Sequence, residues 1–153
     1  MAINLSKGQR VDISLQNLAV GLGWTGVSDL DASAFMVAAN GQVPAEEFFV
    51  FYGNLESKDL AVKHSGDEKA GGSSDVETIK VDIRKLDPRI EQIIFTVTIY
   101  DSETTGENFG QVRNSFIRIY NSCRQSRTVP SLSRSCAKCA WLGAVSVWPK
   151  SDW

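Results

Sequence analysis

The sequence predicts an all-β fold, a β-sandwich with acidic loops at the ends of its strands. Three observations support this prediction: short apolar or alternating segments recur, turn residues separate them, and no stretch of 15 residues keeps a helical period. We expect seven or eight strands. The segments are Arg10–Leu15, Leu18–Trp24, Leu30–Ala38, Phe48–Tyr52, Ala61–His64, Thr78–Ile83, Ile93–Tyr100 and Ser115–Tyr120.

Each segment has its own signal for a strand. Leu30–Ala38 passes from acidic to apolar and ends at the hairpin signal Asn40-Gly41. Thr78–Ile83 alternates apolar and polar residues, which places Ile79, Val81 and Ile83 on one face. Phe48–Tyr52 is aromatic and β-branched, as strands often are. Short helical turns are expected only at Arg84–Glu91 and Phe109–Arg113.

The composition is that of a soluble globular protein. Hydrophobic residues make up 42% of the 153 residues and charged residues 22%, which suits a folded chain with a sizeable core. No run of 18 apolar residues is present, so we expect no membrane span. The first residues alternate in polarity without an apolar signal core, and we therefore expect a cytoplasmic location.

The charge distribution divides the chain at Asn121. Residues 1–121 carry 11 basic and 17 acidic residues, a net charge of −6, whereas residues 122–153 carry five basic residues and one acid, a net charge of +4. All three cysteines lie in this second part, which is rich in serine and arginine. We expect a sandwich domain over residues 1–121 and an atypical basic tail over residues 122–153. The acidic body disfavours nucleic acid as a partner and suits a cation.

Carboxylates gather around the expected strand ends. Asp29 and Asp31 are two residues apart and project from the same side of an extended segment. More acids flank the Gly71–Ser74 loop, and Asp101 follows a strand. The acids around that loop are Asp67, Glu68, Asp75 and Glu77. Calcium takes about 6–8 oxygen ligands in flexible geometry, so such a cluster is typical of a hard-cation site. The alternative is that these loops are simply solvated.

Eight ordered segments of residues 1–121 carry a resemblance to a known family. They are VGLGW (Val20–Trp24), DLDASAF (Asp29–Phe35), ANG (Ala39–Gly41), FVFYGN (Phe49–Asn54), HSGD (His64–Asp67), IIFTVTIYD (Ile93–Asp101), ENFGQV (Glu107–Val112) and SFIRIYN (Ser115–Asn121). The chain resembles the TerD family of bacterial tellurite-resistance and general stress proteins. This resemblance implies a β-sandwich that binds Ca²⁺ through acidic loops and acts without enzymatic chemistry. Other stress or tellurite-resistance proteins are the partners it suggests.

The resemblance also implies a set of calcium ligands. Asp29 and Asp31 match the acids of the family's DLD segment, and GDEKAGGSSDVE imperfectly matches its motif GDN-x-TG-x-G-x-GDDE. Within that motif Asp67, Asp75 and Glu77 fall on family acids. Glu68, a secondary candidate, replaces an asparagine, and Val76 replaces an aspartate. The loop is therefore shorter and poorer in acids than the family pattern, and the pattern stops at Asn121.

Other functions have weaker signals. A metal-independent interaction module whose loops have lost calcium is the main alternative. Cys136-x-x-Cys139 with Cys123 and His64 would supply four zinc ligands, but a single C-x-x-C is a weak signal. An enzyme ranks third because no nucleophile–base pair or cofactor motif is visible.

Overall fold

The computed structural model describes residues 16–27, 29–66, 75–122 and 145–147. The expected strand Arg10–Leu15 lies outside these residues. The strands are β1 (Asn17–Thr25), β2 (Leu30–Ala38), β3 (Phe49–Val50), β4 (Val62–His64), β5 (Glu77–Asp82), β6 (Ile90–Ile99), β7 (Arg113–Asn121) and β8 (Val145–Val147). One helical turn, α1, spans Ser102–Thr105, and 3₁₀ turns span Glu46–Phe48 and Ile83–Lys85.

The strands form two antiparallel sheets. The first sheet has the order β4-β5-β1-β7 and the second the order β3-β2-β6-β8. Consecutive strands β1 and β2 lie in different sheets, as do β5 and β6, so the chain crosses repeatedly between the layers. The prediction of an all-β fold is confirmed.

The core lies between the two sheets and follows the period-two alternation of their central strands. On β1 the inward residues Leu18, Val20, Leu22 and Trp24 are all buried. On β2 the inward residues are Leu30, Ala32, Ala34 and Met36, and each is at most 7% exposed. Phe95 on β6 pairs with Ala34 and completes this layer. The apolar pattern therefore specifies which face of each sheet is inside.

Local turns differ from the expectations in two places. The strand expected at Phe48–Tyr52 is only two residues long, because Phe51 pairs back with Asn54 across a tight turn. A turn does form at Phe109–Arg113, though not a helix: the N–H of Val112 donates to the carbonyl of Phe109, and Arg113 already belongs to β7. An unexpected helical turn forms at α1, where Asp101 (φ 48°) begins it and Gly106 (φ 68°) ends it. Glycine at that terminal position accepts the left-handed conformation without strain.

No helix in the described part of the chain is long and apolar enough to cross a membrane.

Three inter-strand connections meet at one end of the sandwich. Antiparallel pairing of β1 with β5 and β7 places the end of β1 beside the starts of both strands. The end of β4 lies beside the start of β5, and the start of β2 lies beside the end of β6. The connections β1–β2, β4–β5 and β6–β7 therefore share this end, which we call the acidic end because it carries the candidate carboxylates.

Candidate functional site

Glu77, at the acidic end, is the most deeply buried of the candidate ligands. It pairs with Leu22 on β1 and shares the inward face of β5 with Ile79 and Val81. Its side chain is completely buried. Oε2 accepts a hydrogen bond of 2.7 Å from the backbone N–H of Ala32 in the opposite sheet. Oε1 is buried and has no hydrogen-bond partner among the described residues.

His64 completes the contact with Ala32. Its Nε2 lies 3.0 Å from the carbonyl oxygen of Ala32 and 3.6 Å from Oε2 of Glu77. The backbone N–H of Gly66 donates to Nδ1 at 3.0 Å. Because Nδ1 accepts a hydrogen bond, the proton of a neutral ring must lie on Nε2, which then donates to the Ala32 carbonyl.

The side chains of His64 and Glu77 make the hydrogen bonds to Ala32 that a neighbouring strand would otherwise make. The register of β2 with β3 begins only at Ala34, so no strand of the described chain pairs with β2 at Ala32 on that side. His64 and Glu77 reach across from the first sheet and satisfy both backbone groups of Ala32. Buried backbone groups need such partners, because an unpaired one costs about as much as a lost hydrogen bond. We call this arrangement the Ala32 clamp.

Asp29 and Asp31 lie at the start of β2, next to the clamp. They are only 7% and 5% exposed. The interpretation of these acids as a solvated surface is therefore wrong. The carbonyl of Asp29 accepts a hydrogen bond from the N–H of Tyr100, which brings the end of β6 close, but Asp101 itself is exposed.

Asp75 is engaged by cationic and phenolic donors on β7. Nε and Nη2 of Arg118 donate to its two carboxylate oxygens at 2.6 and 2.7 Å, and the hydroxyl of Tyr120 donates at 3.0 Å. The hydrogen bond to Asp75 raises the pKa of Arg118 above its ordinary value. Burial, followed by the negative charge of Asp75, raises the pKa of Tyr120.

Some of the described carboxylates are suited to binding a hard cation, and one is not. The orphaned Oε1 of Glu77 and the buried Asp29 and Asp31 suit one, since buried charges in proteins are paired or bind metals. Asp75 does not, because Arg118 and Tyr120 occupy its oxygens. No group of three potential metal-binding side chains converges within the described ranges.

The described residues do not include two of the predicted calcium ligands or the cysteines considered for zinc. Asp67 and Glu68 lie outside the described residues, as do Cys123, Cys136 and Cys139. His64, the fourth candidate zinc ligand, has both ring nitrogens in hydrogen-bonding contacts.

Sequence reasoning missed three residues of this region. Sequence reasoning considers His64 as a fourth zinc ligand, but its place two residues after the buried Val62 puts it on the same inward face. The same alternation places Glu77 beside Ile79 on the inside. Arg118 and Tyr120 carried no comparable signal, because only the register of β7 against β1 brings them to Asp75.

The fold and this end of it define a class: an antiparallel two-sheet sandwich with buried carboxylates where its connections meet. A family model described as the TerD domain matches residues 1–131. The chain belongs to the TerD family.

Sequence similarity to named proteins of the family supports this membership. Tellurium resistance protein TerD of an Alcaligenes species is 42% identical, with 82% of this chain and 72% of the relative covered. The TerD protein of Serratia marcescens is 41% identical over the same shares. General stress protein 16U of Bacillus subtilis is 40% identical, covering 79% of this chain and 69% of the relative.

Solved structures share the fold at lower identity. A homologue of telluride resistance protein TerD from Streptomyces coelicolor superposes with a TM-score of 0.60 at 23% identity. The superposition covers 72% of this chain and 69% of that one. A protein of unknown function gives a TM-score of 0.61 at 20% identity, covering 72% and 68%.

Proposed function

We propose that this chain is a non-enzymatic stress-response protein that binds Ca²⁺ at its acidic end. Glu77, Asp29 and Asp31 would supply carboxylate ligands from the two sheets. Asp67 and Glu68 would add ligands from the segment between β4 and β5. The relatives named for tellurium resistance and general stress support the cellular role, in which other proteins of such systems would be its partners.

The single observation that carries the proposal is the state of the Glu77 carboxylate. It is fully buried, one oxygen is held by the Ala32 N–H, and the other has no hydrogen-bond partner among the described residues. The ring nitrogens of its neighbour His64 contact the Ala32 carbonyl and the Gly66 N–H instead. A buried carboxylate with an unsatisfied oxygen is costly unless a cation approaches it. Calcium would supply that charge and bind hard oxygen ligands.

Isothermal titration of chelator-treated protein with Ca²⁺ tests the proposal. We expect saturable binding by the parent. Glu77→Gln keeps the shape and an acceptor for the Ala32 N–H but removes the charge. It should weaken binding by about tenfold or more, equivalent to about 1.4 kcal/mol. Glu47→Gln is the matched control, since Glu47 is an exposed partner of Lys58 and should leave the affinity unchanged.

Two results would contradict the proposal: no binding by the folded parent at millimolar Ca²⁺, or equal affinity of the parent and the Glu77→Gln variant. The first result would favour a metal-independent interaction module. The engagement of Asp75 by Arg118 favours that second function, because it removes one family ligand position from the cation.

A further inference from the structure

The surroundings of Asp75 have the features of a receptor site for a carboxylate. The guanidinium of Arg118 grips both oxygens in a bidentate pair, and the Tyr120 hydroxyl adds a third donor. The Asp75 side chain is only 10% exposed, although that of Arg118 is 51% exposed. Arg118 thus shields the carboxylate from water. Bidentate arginine–carboxylate pairs are among the stronger and more directional hydrogen-bonded contacts in proteins.

Gly21 provides the floor of this site. It pairs with Arg118 on β7 and with Thr78 on β5, so it lies at the centre of the outer face of the first sheet. A Cβ atom at position 21 would collide with the carboxylate carbon and both oxygens of Asp75. The carboxylate therefore rests directly on the glycine backbone, and any side chain here would displace it.

Two aromatic rings flank the guanidinium of Arg118. Its central carbon lies 5.1 Å from the ring centre of Tyr120 and 5.9 Å from that of Phe116. These residues precede and follow Arg118 by two positions on β7 and so share its face. Cation–π contacts of this kind restrict where the guanidinium lies. The donors of the site therefore come from the single strand β7, and the acceptor comes from the connection that precedes β5.

We propose that Gly21, Arg118 and Tyr120 form a carboxylate-binding site that Asp75 occupies within the same chain. The site anchors the start of β5 and the end of the connection that precedes it. Asp75 is therefore an anchoring residue and does not ligate a cation. A divalent cation at Asp75 would have to displace the Arg118 fork and would lie next to its positive charge. The anchor does not depend on calcium binding elsewhere.

A double-mutant cycle tests the pairing. Asp75→Asn and Arg118→Gln should each lower the melting temperature, and the double variant should melt no lower than the less stable single variant. The ion pair of Glu56 with Lys63 is the matched control. Both of its side chains are exposed, so Glu56→Gln and Lys63→Gln should change the melting temperature little. Additive losses from Asp75 and Arg118 would overturn the proposal.

Chemical rescue tests the ligand class. Asp75→Ala empties the site, and acetate should then raise its melting temperature above that in chloride at equal ionic strength. The same acetate should not raise the melting temperature of the Asp75→Ala/Arg118→Gln variant. Equal effects of acetate and chloride on Asp75→Ala would overturn the proposal. If Asp75→Ala does not fold, Gly21→Ala replaces it as the variant: it should lower the melting temperature of the parent, and lower it less in an Arg118→Gln background, where the carboxylate is no longer held against the glycine. An equal loss in both backgrounds would overturn the proposal.

Calcium titration separates this inference from the proposed function. The dissociation constant of Asp75→Asn for Ca²⁺ should match that of Arg118→Gln, because both variants lose the same anchor, whereas Glu77→Gln removes a ligand and weakens binding further. Weakening by Asp75→Asn well beyond that of Arg118→Gln would overturn the anchoring role. If the parent binds no Ca²⁺, the proposed function fails, while the double-mutant cycle and the rescue still decide the anchor.

Discussion

The Tyr120 hydroxyl shows how one side chain links protonation to stability. It donates to the Asp75 carboxylate, and its partial burial and that negative charge both favour the neutral phenol. The pKa of Tyr120 is therefore raised above its ordinary value of 10.0. In the unfolded chain the phenol ionises first as the pH rises. Its contribution to stability is thus fully present below about pH 10 and is lost as the pH rises through the folded pKa.

Replacing Tyr120 by Phe should therefore have a pH-dependent effect. At about pH 8 the variant should be less stable by about 1 kcal/mol, the net value of one hydrogen bond. Above pH 10 the difference between parent and variant should shrink, because the parent loses its advantage when the phenol ionises. Urea unfolding of both proteins at the two pH values measures this. A difference that stays constant with pH would show that the hydroxyl is not in this contact.

The second strand, β2, illustrates what a whole element requires beyond its own sequence. Its nine residues pair with β6 along their full length, but β3 covers only two of them on the other side. Without side-chain partners, the N–H and C=O of Ala32 at this edge of β2 would be buried and unpaired. His64 and Glu77 close that edge with side chains from the other sheet.

Removing the imidazole of His64 tests whether β2 needs this side-chain partner. His64→Ala leaves the Ala32 carbonyl without its donor and should lower the free energy of unfolding by about 1–3 kcal/mol. His64→Gln retains an amide donor of similar reach and should recover part of that loss. Urea unfolding of the metal-free proteins provides the measurement. Equal stability of His64→Ala and the parent would mean that the clamp does not support the edge of β2.

Much of this architecture could be predicted from residue patterns. Alternation in Thr78–Ile83 places Ile79 and Val81 in the core, and its extension to Glu77 would have predicted a buried acid. The apolar runs of β1 and β2 likewise predict buried central strands. The Asp75–Arg118 pair could not be predicted this way. Its members are 43 residues apart, and their contact depends on the order β5-β1-β7, which local patterns do not specify.

At the scale of the whole molecule, the two sheets are joined at the acidic end through the Ala32 clamp. Glu77 belongs to the first sheet, whereas Ala32, Asp29 and Asp31 belong to or precede a strand of the second. A cation site built from carboxylates of both sheets would form only when the two sheets have assembled. Its binding energy would therefore add to the stability of the folded state.

Calcium should accordingly raise the melting temperature of the parent protein. At about 100 times the dissociation constant, the expected stabilisation is about 2.7 kcal/mol. The Glu77→Gln variant should gain less at the same calcium concentration, because its affinity is lower. Differential scanning calorimetry in calcium and in chelator measures both gains. Identical melting curves of the parent in the two conditions would contradict a site that forms on folding.

The contacts that flank residues 67–74 bear on how this connection can change in length. On one side the N–H of Gly66 is tied to the ring of His64, and on the other Asp75 is tied to Arg118. Both attachments lie outside the eight intervening residues. Closing a flexible loop twice as long costs only about 0.6 kcal/mol more. Insertions between these attachments are therefore thermodynamically cheap, and the connection can grow in length without a large cost to the sandwich.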